Sequence, residues 1–227
     1  MALFPRNFTS KSTTMKFLMR NGLLCLGIGI SITCLMIFYT DHYILTTGFY
    51  ENSGDPLFGI PGQGQAVFDN LQKWIYLSAI FYLLIKLAII SLILHTALYL
   101  NDHEVAMYDI FKITVIAETV LFVHSMLKIV LFSYTFPNGN LLGWNKYSVG
   151  SLLELFPNVP ADWYYVFQTF NIFEVFYWFF LAYGIRNVTD LNYDASLKIV
   201  VQSYVPALLI WISLVTFISL MISPATG

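Results

Sequence analysis

The feature that most constrains this chain is a series of five long apolar runs. They lie at about residues 21–40, 74–100, 110–134, 165–185 and 199–222. A helix needs about 20 apolar residues to cross a hydrocarbon core about 30 Å thick, and each run is near this length. The composition agrees, because 58% of the residues are hydrophobic and only 11% are charged, whereas soluble domains carry about 25% charged residues. We therefore predict an all-α integral membrane protein, a bundle of five transmembrane helices.

The apolar runs leave little chain for a separate soluble domain. We predict a cytoplasmic N-terminal segment at 1–20, a single membrane domain at 21–222 and a short tail at 223–227. The basic start followed by an apolar run resembles a signal sequence. The first run ends in Phe38-Tyr39-Thr40-Asp41, which lacks the small-x-small cleavage pattern, so we expect an uncleaved anchor.

Lysine and arginine residues predict the orientation in the membrane. A cytoplasmic N-terminus leaves only Lys73 and Lys146 on the far side, and the positive-inside rule favours this arrangement. The C-terminus is then outside, and segment 147–156, in the loop that enters the fourth span, is expected to form a short helix on the bilayer surface. The cytoplasmic side receives Arg6, Lys11, Lys16, Arg20, Lys112, Arg186 and Lys198.

Polar side chains inside the apolar runs are the candidate functional residues. A charge at membrane depth is costly and is a functional hypothesis by default. With a rise of about 1.5 Å per residue, Lys86 and Glu174 fall at nearly the same height, and Glu118 lies about 5 Å toward the cytoplasm. We predict a Lys86–Glu174 ion pair with Glu118 as a second acceptor. The whole predicted polar network comprises Lys86, Glu118, His124, Asn171 and Glu174.

Two interpretations of this network stay open. Its members line a proton or ion path, with Glu118 or Glu174 as the carrier, or they form a static network that locks the helices in register. Gln168, Asn171, Glu174 and Trp178 recur at helical spacing, which predicts one polar face on a continuous fourth span. The balance of Lys86 against a carboxylate favours the static network, as does the lack of a half-helix break of the kind found at transporter sites.

The first run also carries a predicted packing face. Gly27 and Ser31 form a small-xxx-small pair that allows another helix to approach closely, either within this chain or in another subunit. No catalytic residue, metal ligand or cofactor site is predicted. His103-Glu104 is followed by Met107 where a zincin helix needs its second histidine, and no Gly-x-Ser-x-Gly elbow occurs. The net charge of −2 gives no basic surface for nucleic acid.

The C-terminal part of the chain carries a family resemblance. Residues 171–185 read Asn-Ile-Phe-Glu-Val-Phe-Tyr-Trp-Phe-Phe-Leu-Ala-Tyr-Gly-Ile, and a short polar hairpin from Asn187 to Asp194 precedes Ala195-Ser-Leu-Lys198. This order resembles the last two spans of Yip-type (Ypt/Rab-interacting protein) membrane proteins, in their bacterial branch. Segment 95–132 resembles the central hairpin of that family more weakly, with Asn101-Asp102 where a glycine-bearing turn is expected. The resemblance implies five spans, a cytoplasmic N-terminus and no enzymatic activity.

We therefore expect a non-catalytic accessory or scaffold subunit of a larger membrane assembly, related to export or trafficking. Its expected location is the bacterial cytoplasmic (inner) membrane. Its expected partners are membrane lipids and other membrane protein subunits. The alternative is a small proton- or ion-coupled membrane transporter that uses Lys86, Glu118 and Glu174.

Overall fold

The structure is a computed structural model that describes residues 18–46, 49, 63–136, 141–156 and 158–222. Most of the predicted N-terminal segment and the whole predicted tail at 223–227 lie outside the described residues. The helices are α1 Gly22–Tyr43, α2 Gln63–Leu100, α3 Met107–Ala117, α4 Thr119–Thr135, α5 Leu141–Lys146, α6 Leu152–Leu155, α7 Tyr164–Thr169, α8 Ile172–Val188 and α9 Tyr193–Ile222, with a 3-10 helix at Ala161–Trp163 before α7.

Four helical segments are long and apolar enough to cross a membrane. They are Gly22–Tyr43, Trp74–Leu100, Met107–Thr135 and Tyr193–Met221. Glu118 joins α3 to α4 and keeps a helical backbone, with φ −57° and ψ −22°, so these two helices form one segment. The four segments correspond to the first, second, third and fifth predicted runs. The prediction of an all-α protein of membrane type is confirmed at this level.

The predicted fourth span at 165–185 is wrong as a single continuous helix. Asn171 has an extended backbone, with φ −133° and ψ 163°, and separates α7 from α8. The side chain of Asn171 accepts a hydrogen bond of 2.9 Å from the backbone N–H of Glu174, so it caps the new helix. Helix α8 has 17 residues, which gives it a length of about 26 Å. It is therefore somewhat shorter than a hydrocarbon core of about 30 Å.

The loop before the fourth run packs against this interruption. The backbone N–H of Leu152 donates to the carbonyl of Phe170 at 2.9 Å, and the N–H of Ile172 donates to the carbonyl of Gly150 at 3.0 Å. These bonds satisfy backbone groups that the interruption would leave unpaired. The predicted surface helix at 147–156 is thus reduced to the four residues of α6, and Leu153 within it is only 3% exposed because it packs inside the protein.

Helices α2, α3, α8 and α9 surround the main core. Helix α8 comes close to α3 at Gly184, where an added Cβ would collide with the side chain of Ile113. Helix α1 packs on a smaller cluster formed by Leu83, Leu87 and Val115, to which it contributes Cys25 and Leu26. The buried members of the main core are Ile90, Leu94, Leu98, Val105, Ile110, Ile113, Ala117, Tyr177, Leu181, Ala182, Ile185, Val188, Ile199, Val200 and Tyr204.

The contacts between helices place both short links at one end of the bundle. The ring of Tyr177 lies at the level of Lys86, with 6.0 Å between the ammonium nitrogen and the ring centroid, and Gly184 lies at the level of Ile113. Helix α8 therefore runs toward the same end from which α3 begins. It follows that the α2–α3 link at 101–106 and the α8–α9 link at 189–192 lie at this end.

Helix α1 also begins at that end of the bundle. A Cβ on Gly22 would meet Lys112 near the start of α3, and a Cβ on Gly29 would meet Phe122 in α4. Helix α1 thus runs in the same direction as α3 and α4. The same end gathers basic side chains from four helical segments: Arg20, Lys112, Arg186 and Lys198.

Candidate functional site

Lys86 forms a buried ion pair with Glu118. The Lys86 ammonium nitrogen lies 2.6 Å from Oε1 of Glu118, and the two side chains are 24% and 5% exposed. The predicted primary pair of Lys86 with Glu174 is therefore wrong. Helices α2 and α3 are antiparallel, and the Ser91 hydroxyl donates to the Thr114 hydroxyl at 3.0 Å. Lys86 lies five residues before Ser91 on α2, and Glu118 lies four residues after Thr114. The antiparallel helices therefore bring Lys86 opposite Glu118.

Glu174 is held by aromatic donors instead of a lysine. Its Oε1 accepts hydrogen bonds from the Tyr204 hydroxyl at 2.7 Å and from the Trp178 indole nitrogen at 3.1 Å. The residue is only 7% exposed. In the part of the chain that the structure describes, no basic side chain lies within ion-pair distance of Glu174.

Tyr177 lies between the Lys86–Glu118 pair and the Tyr204–Glu174 pair. Its ring lies beside the Lys86 ammonium, and its centroid is 5.6 Å from that of Tyr204. Among the described residues, neither the buried Tyr177 hydroxyl nor Oε2 of Glu118 has a hydrogen-bond partner. We call the group the two-carboxylate cluster. Its members come from α2, the α3–α4 junction, α8 and α9: Lys86, Glu118, Glu174, Tyr177, Trp178 and Tyr204.

The other predicted network residues lie beside this cluster. Asn171 contacts Glu174 through the backbone cap described above. His124 stacks on Phe173 with 4.9 Å between ring centroids, and its buried Nε2 has no partner among the described residues. The ammonium nitrogen of Lys128, one helical turn after His124, lies 4.6 Å from the centroid of the Trp144 ring. His124 therefore contacts the first turn of α8 without joining the cluster.

The predicted polar face of the fourth run is present only in part. Glu174 and Trp178 do share a face of α8, where they bond to each other. Gln168 lies before the interruption and donates to the backbone carbonyl of Asn145 instead. Sequence analysis did not include Tyr177 and Tyr204 in the network. For Tyr204 the available signal was residue type, because a buried tyrosine hydroxyl usually finds a partner. For Tyr177 it was the spacing of three residues from Glu174, which puts both on the same helix face.

Gly27 and Ser31 make no helix contact inside the described protein. An added Cβ on Gly27 would meet nothing within 4 Å, and the exposed Ser31 hydroxyl donates to the Gly27 carbonyl at 2.9 Å. Helix α1 packs instead through its buried glycines, Gly22 and Gly29. Both alternatives for the partner of this pair stay predictions, since this finding covers only the described residues.

A cavity of about 470 Å³ opens beside Glu174. We call it the α8 groove. Its rim lies at the surface, since Leu155 is 70% exposed and Ile172 is 53% exposed. The residues that line it come from the 150–155 segment and from the start of α8: Gly150, Ser151, Leu152, Glu154, Leu155, Phe170, Asn171, Ile172, Glu174, Val175 and Trp178.

The fold and these contacts define an all-α protein of the membrane-spanning class, with an ion pair and a second carboxylate enclosed between its helices. Comparison of the chain with protein-family models, with curated proteins and with solved structures finds no match. Within the described ranges, no group of three or more histidine, cysteine or acidic residues is placed to hold a metal ion.

Proposed function

We propose that this protein is a non-catalytic accessory or scaffold subunit of a larger membrane assembly, of Yip type, in the bacterial cytoplasmic membrane. The observation that carries the proposal is the way its buried polar groups bind one another across helices. The Lys86–Glu118 pair joins α2 to the α3–α4 junction, and the Tyr204–Glu174 bond joins α9 to α8. Such contacts hold helices in a fixed register, which suits a protein that presents a constant surface to a partner.

Helix α1 supplies the surface for the proposed partner. Only Gly22 and Gly29 are buried in this helix, and no described residue lies within 4 Å of a Cβ placed on Gly27, on the face that also carries the exposed Ser31. A glycine on an open face of a membrane helix allows the backbone of another helix to come close. The neighbouring apolar side chains Leu23, Leu24 and Leu35 are 60% to 68% exposed and would contact the same partner helix or lipid.

The proposed threading has the N-terminus in the cytoplasm and the C-terminus outside. Helices α7 and α8 together act as the fourth of five crossings in this proposal. Support comes from the gathering of Arg20, Lys112, Arg186 and Lys198 at one end of the bundle, because basic residues favour the cytoplasmic side.

Quantitative co-purification tests the scaffold proposal. The tagged protein is extracted from its own membrane in a mild detergent, and the co-purifying proteins are measured by mass spectrometry. We expect a partner at constant stoichiometry, reduced recovery of that partner with Gly27→Leu and unchanged recovery with Ser213→Leu, a substitution at an exposed position of α9. Isolation of the wild-type protein without any stoichiometric partner would overturn the proposal.

The interrupted helix supports a second candidate function, a small proton- or ion-coupled transporter. Membrane transporters often place substrate groups at the ends of interrupted helices, and Glu174 lies in the first turn of α8 beside the groove. The test is ion flux into proteoliposomes. A transporter should lose flux with Glu174→Gln while remaining folded, whereas a scaffold shows no flux with either glutamate or glutamine.

A further inference from the structure

We propose that the α8 groove is a binding site for a lipophilic amine, a molecule with one ammonium group on an alkyl chain. The ammonium group lies against Glu174, and the alkyl chain lies along the apolar wall. The inference goes beyond the scaffold function and does not depend on it.

The size and lining of the groove fit such a molecule. Its volume of about 470 Å³ falls within the range of about 300–1,000 Å³ that is usual for small-molecule sites. Its wall is mainly apolar and is formed by Leu152, Leu155, Phe170, Ile172 and Val175. Because the rim is exposed, an amphiphile can enter from the surrounding lipid without passing through the core.

The charge of the groove favours a cation. Glu174 is 7% exposed, and a buried carboxylate is costly unless an opposite charge or several donors accompany it. Lys86, the cation that sequence analysis assigned to Glu174, is bound to Glu118 at 2.6 Å. Among the described residues, no lysine, arginine or histidine lines the groove, and the remaining polar lining residues are Ser151, Glu154 and Asn171. Glu174 already accepts hydrogen bonds from Tyr204 and Trp178, and a ligand ammonium adds the opposite charge that these neutral donors lack.

Trp178 adds a second interaction for the same group. Its indole nitrogen already donates to Glu174 at 3.1 Å, so the ring is fixed beside the carboxylate at the wall of the groove. Tryptophan is the best aromatic partner for a cation within about 6 Å of its ring. An ammonium group that reaches Glu174 therefore also approaches an aromatic surface.

The same lining selects against other amphiphiles. A fatty acid would bring its carboxylate next to Glu174. A phosphoethanolamine headgroup would bring a phosphate into a groove whose described lining offers the carboxylates of Glu154 and Glu174 and no basic residue. A fatty alcohol keeps the alkyl chain but lacks the charge. A single ammonium group is thus the headgroup that fits the site.

Binding of matched probes to the full-length protein in lipid nanodiscs tests the proposal. The probes are dodecylamine, dodecanol, dodecanoate and phosphatidylethanolamine, and the readouts are native mass spectrometry and the probe-dependent rise in the unfolding temperature. We expect saturable, equimolar binding of dodecylamine, at least about tenfold tighter than that of the other three probes. Dodecanol controls for partition of the alkyl chain into the nanodisc.

Three variants assign the binding to the groove. Glu174→Gln should weaken dodecylamine binding about tenfold or more, whereas Glu104→Gln, at an exposed carboxylate in the α2–α3 link, should leave it unchanged. Val175→Trp adds bulk at a position that lines the groove but is not a member of the two-carboxylate cluster, and it should abolish binding even if Glu174→Gln fails to fold. Equal binding of dodecanol, or undiminished binding by Val175→Trp, would overturn the proposal. Preferred binding of phosphatidylethanolamine would assign the groove to a membrane lipid instead and would also overturn it.

Discussion

Tyr177 and Tyr204 are both packed in the core, but only one of them has a hydrogen-bond partner for its hydroxyl among the described residues. Both rings are buried, at 0% and 5% exposure, and they contact each other across α8 and α9. The Tyr204 hydroxyl donates to Glu174, while the Tyr177 hydroxyl has no partner in the described part of the chain. A buried polar group that is satisfied stabilises a fold, and one that is unsatisfied costs free energy.

This contrast predicts different effects for two identical substitutions. Tyr204→Phe should lower the free energy of unfolding by about 1–2 kcal/mol because Glu174 loses its shorter hydrogen bond. Tyr177→Phe should leave the free energy of unfolding unchanged or raise it, since it removes an unpaired hydroxyl from the core. Denaturant unfolding in detergent micelles, followed by circular dichroism, measures both. Equal losses in the two variants would contradict the assigned hydrogen bonds.

At the scale of helices, Gly184 and Gly27 differ in the space that a side chain would have. Gly184 lies where α8 packs on α3, and a Cβ there would collide with Ile113, whereas a Cβ on Gly27 would meet nothing. Gly184→Ala should therefore destabilise the protein by about 1–3 kcal/mol. Gly27→Ala should be neutral or stabilise α1 by up to about 1 kcal/mol, since alanine is the better helix former.

Thermal unfolding of the purified variants in one detergent measures this difference. The wild-type protein and a conservative substitution on the outer face of α9, Leu209→Ile, serve as controls. A Gly184→Ala variant as stable as Gly27→Ala would show that α8 and α3 are farther apart than the structure places them.

The helices are predicted correctly from the sequence where the apolar run is a strong local signal. Four runs were predicted correctly because the length and continuity of an apolar run decide a spanning helix. The fourth run was misjudged because its apolar character hid the Asn171-x-x-Glu174 pattern, which is a helix start signal. In the structure Asn171 caps the start of α8, so the apolar run does not form one continuous helix.

The pairing of charges could not be predicted from depth alone. Counting residues along each span gives a height but not the direction in which a side chain points. The missing information was the antiparallel register of α2 and α3, which the Ser91–Thr114 bond reveals. The expected glycine turn between these helices has a physical substitute, because Asp102 adopts a positive φ of 60°, a conformation that aspartate tolerates better than most residues other than glycine.

At the scale of the whole molecule, the basic residues Arg20, Lys112, Arg186 and Lys198 lie at the same end of the described bundle as both short links. The directions of the helices place the 101–106 and 189–192 links at the same end of the bundle. The segment around Asn145 follows α4 and therefore lies at the opposite end. Helix α9 therefore ends at the end of the bundle opposite to the one where α1 begins, which is compatible with the five crossings of the proposed threading.

Cysteine accessibility tests this threading. Cys25 and Cys34 are first replaced by alanine, and single cysteines are then introduced at three exposed positions: Asp102, Asp190 and Asn145. We expect an impermeant thiol reagent to label positions 102 and 190 from the same side of the membrane and position 145 from the other side. Labelling of positions 102 and 190 from opposite sides would exclude the arrangement of α3 and α8 described above.

The site, the scaffold proposal and the amine site all depend on one claim. Glu118 binds Lys86, whereas Glu174 binds Tyr204 and Trp178. A pair of double-mutant cycles on the free energy of unfolding measures it most directly, with Lys86→Met combined first with Glu118→Gln and then with Glu174→Gln. Lys86 and Glu118 should show a coupling energy of about 1 kcal/mol or more, and the coupling energy of Lys86 with Glu174 should be clearly smaller. Strong coupling of Lys86 to Glu174 with none to Glu118 would contradict the account.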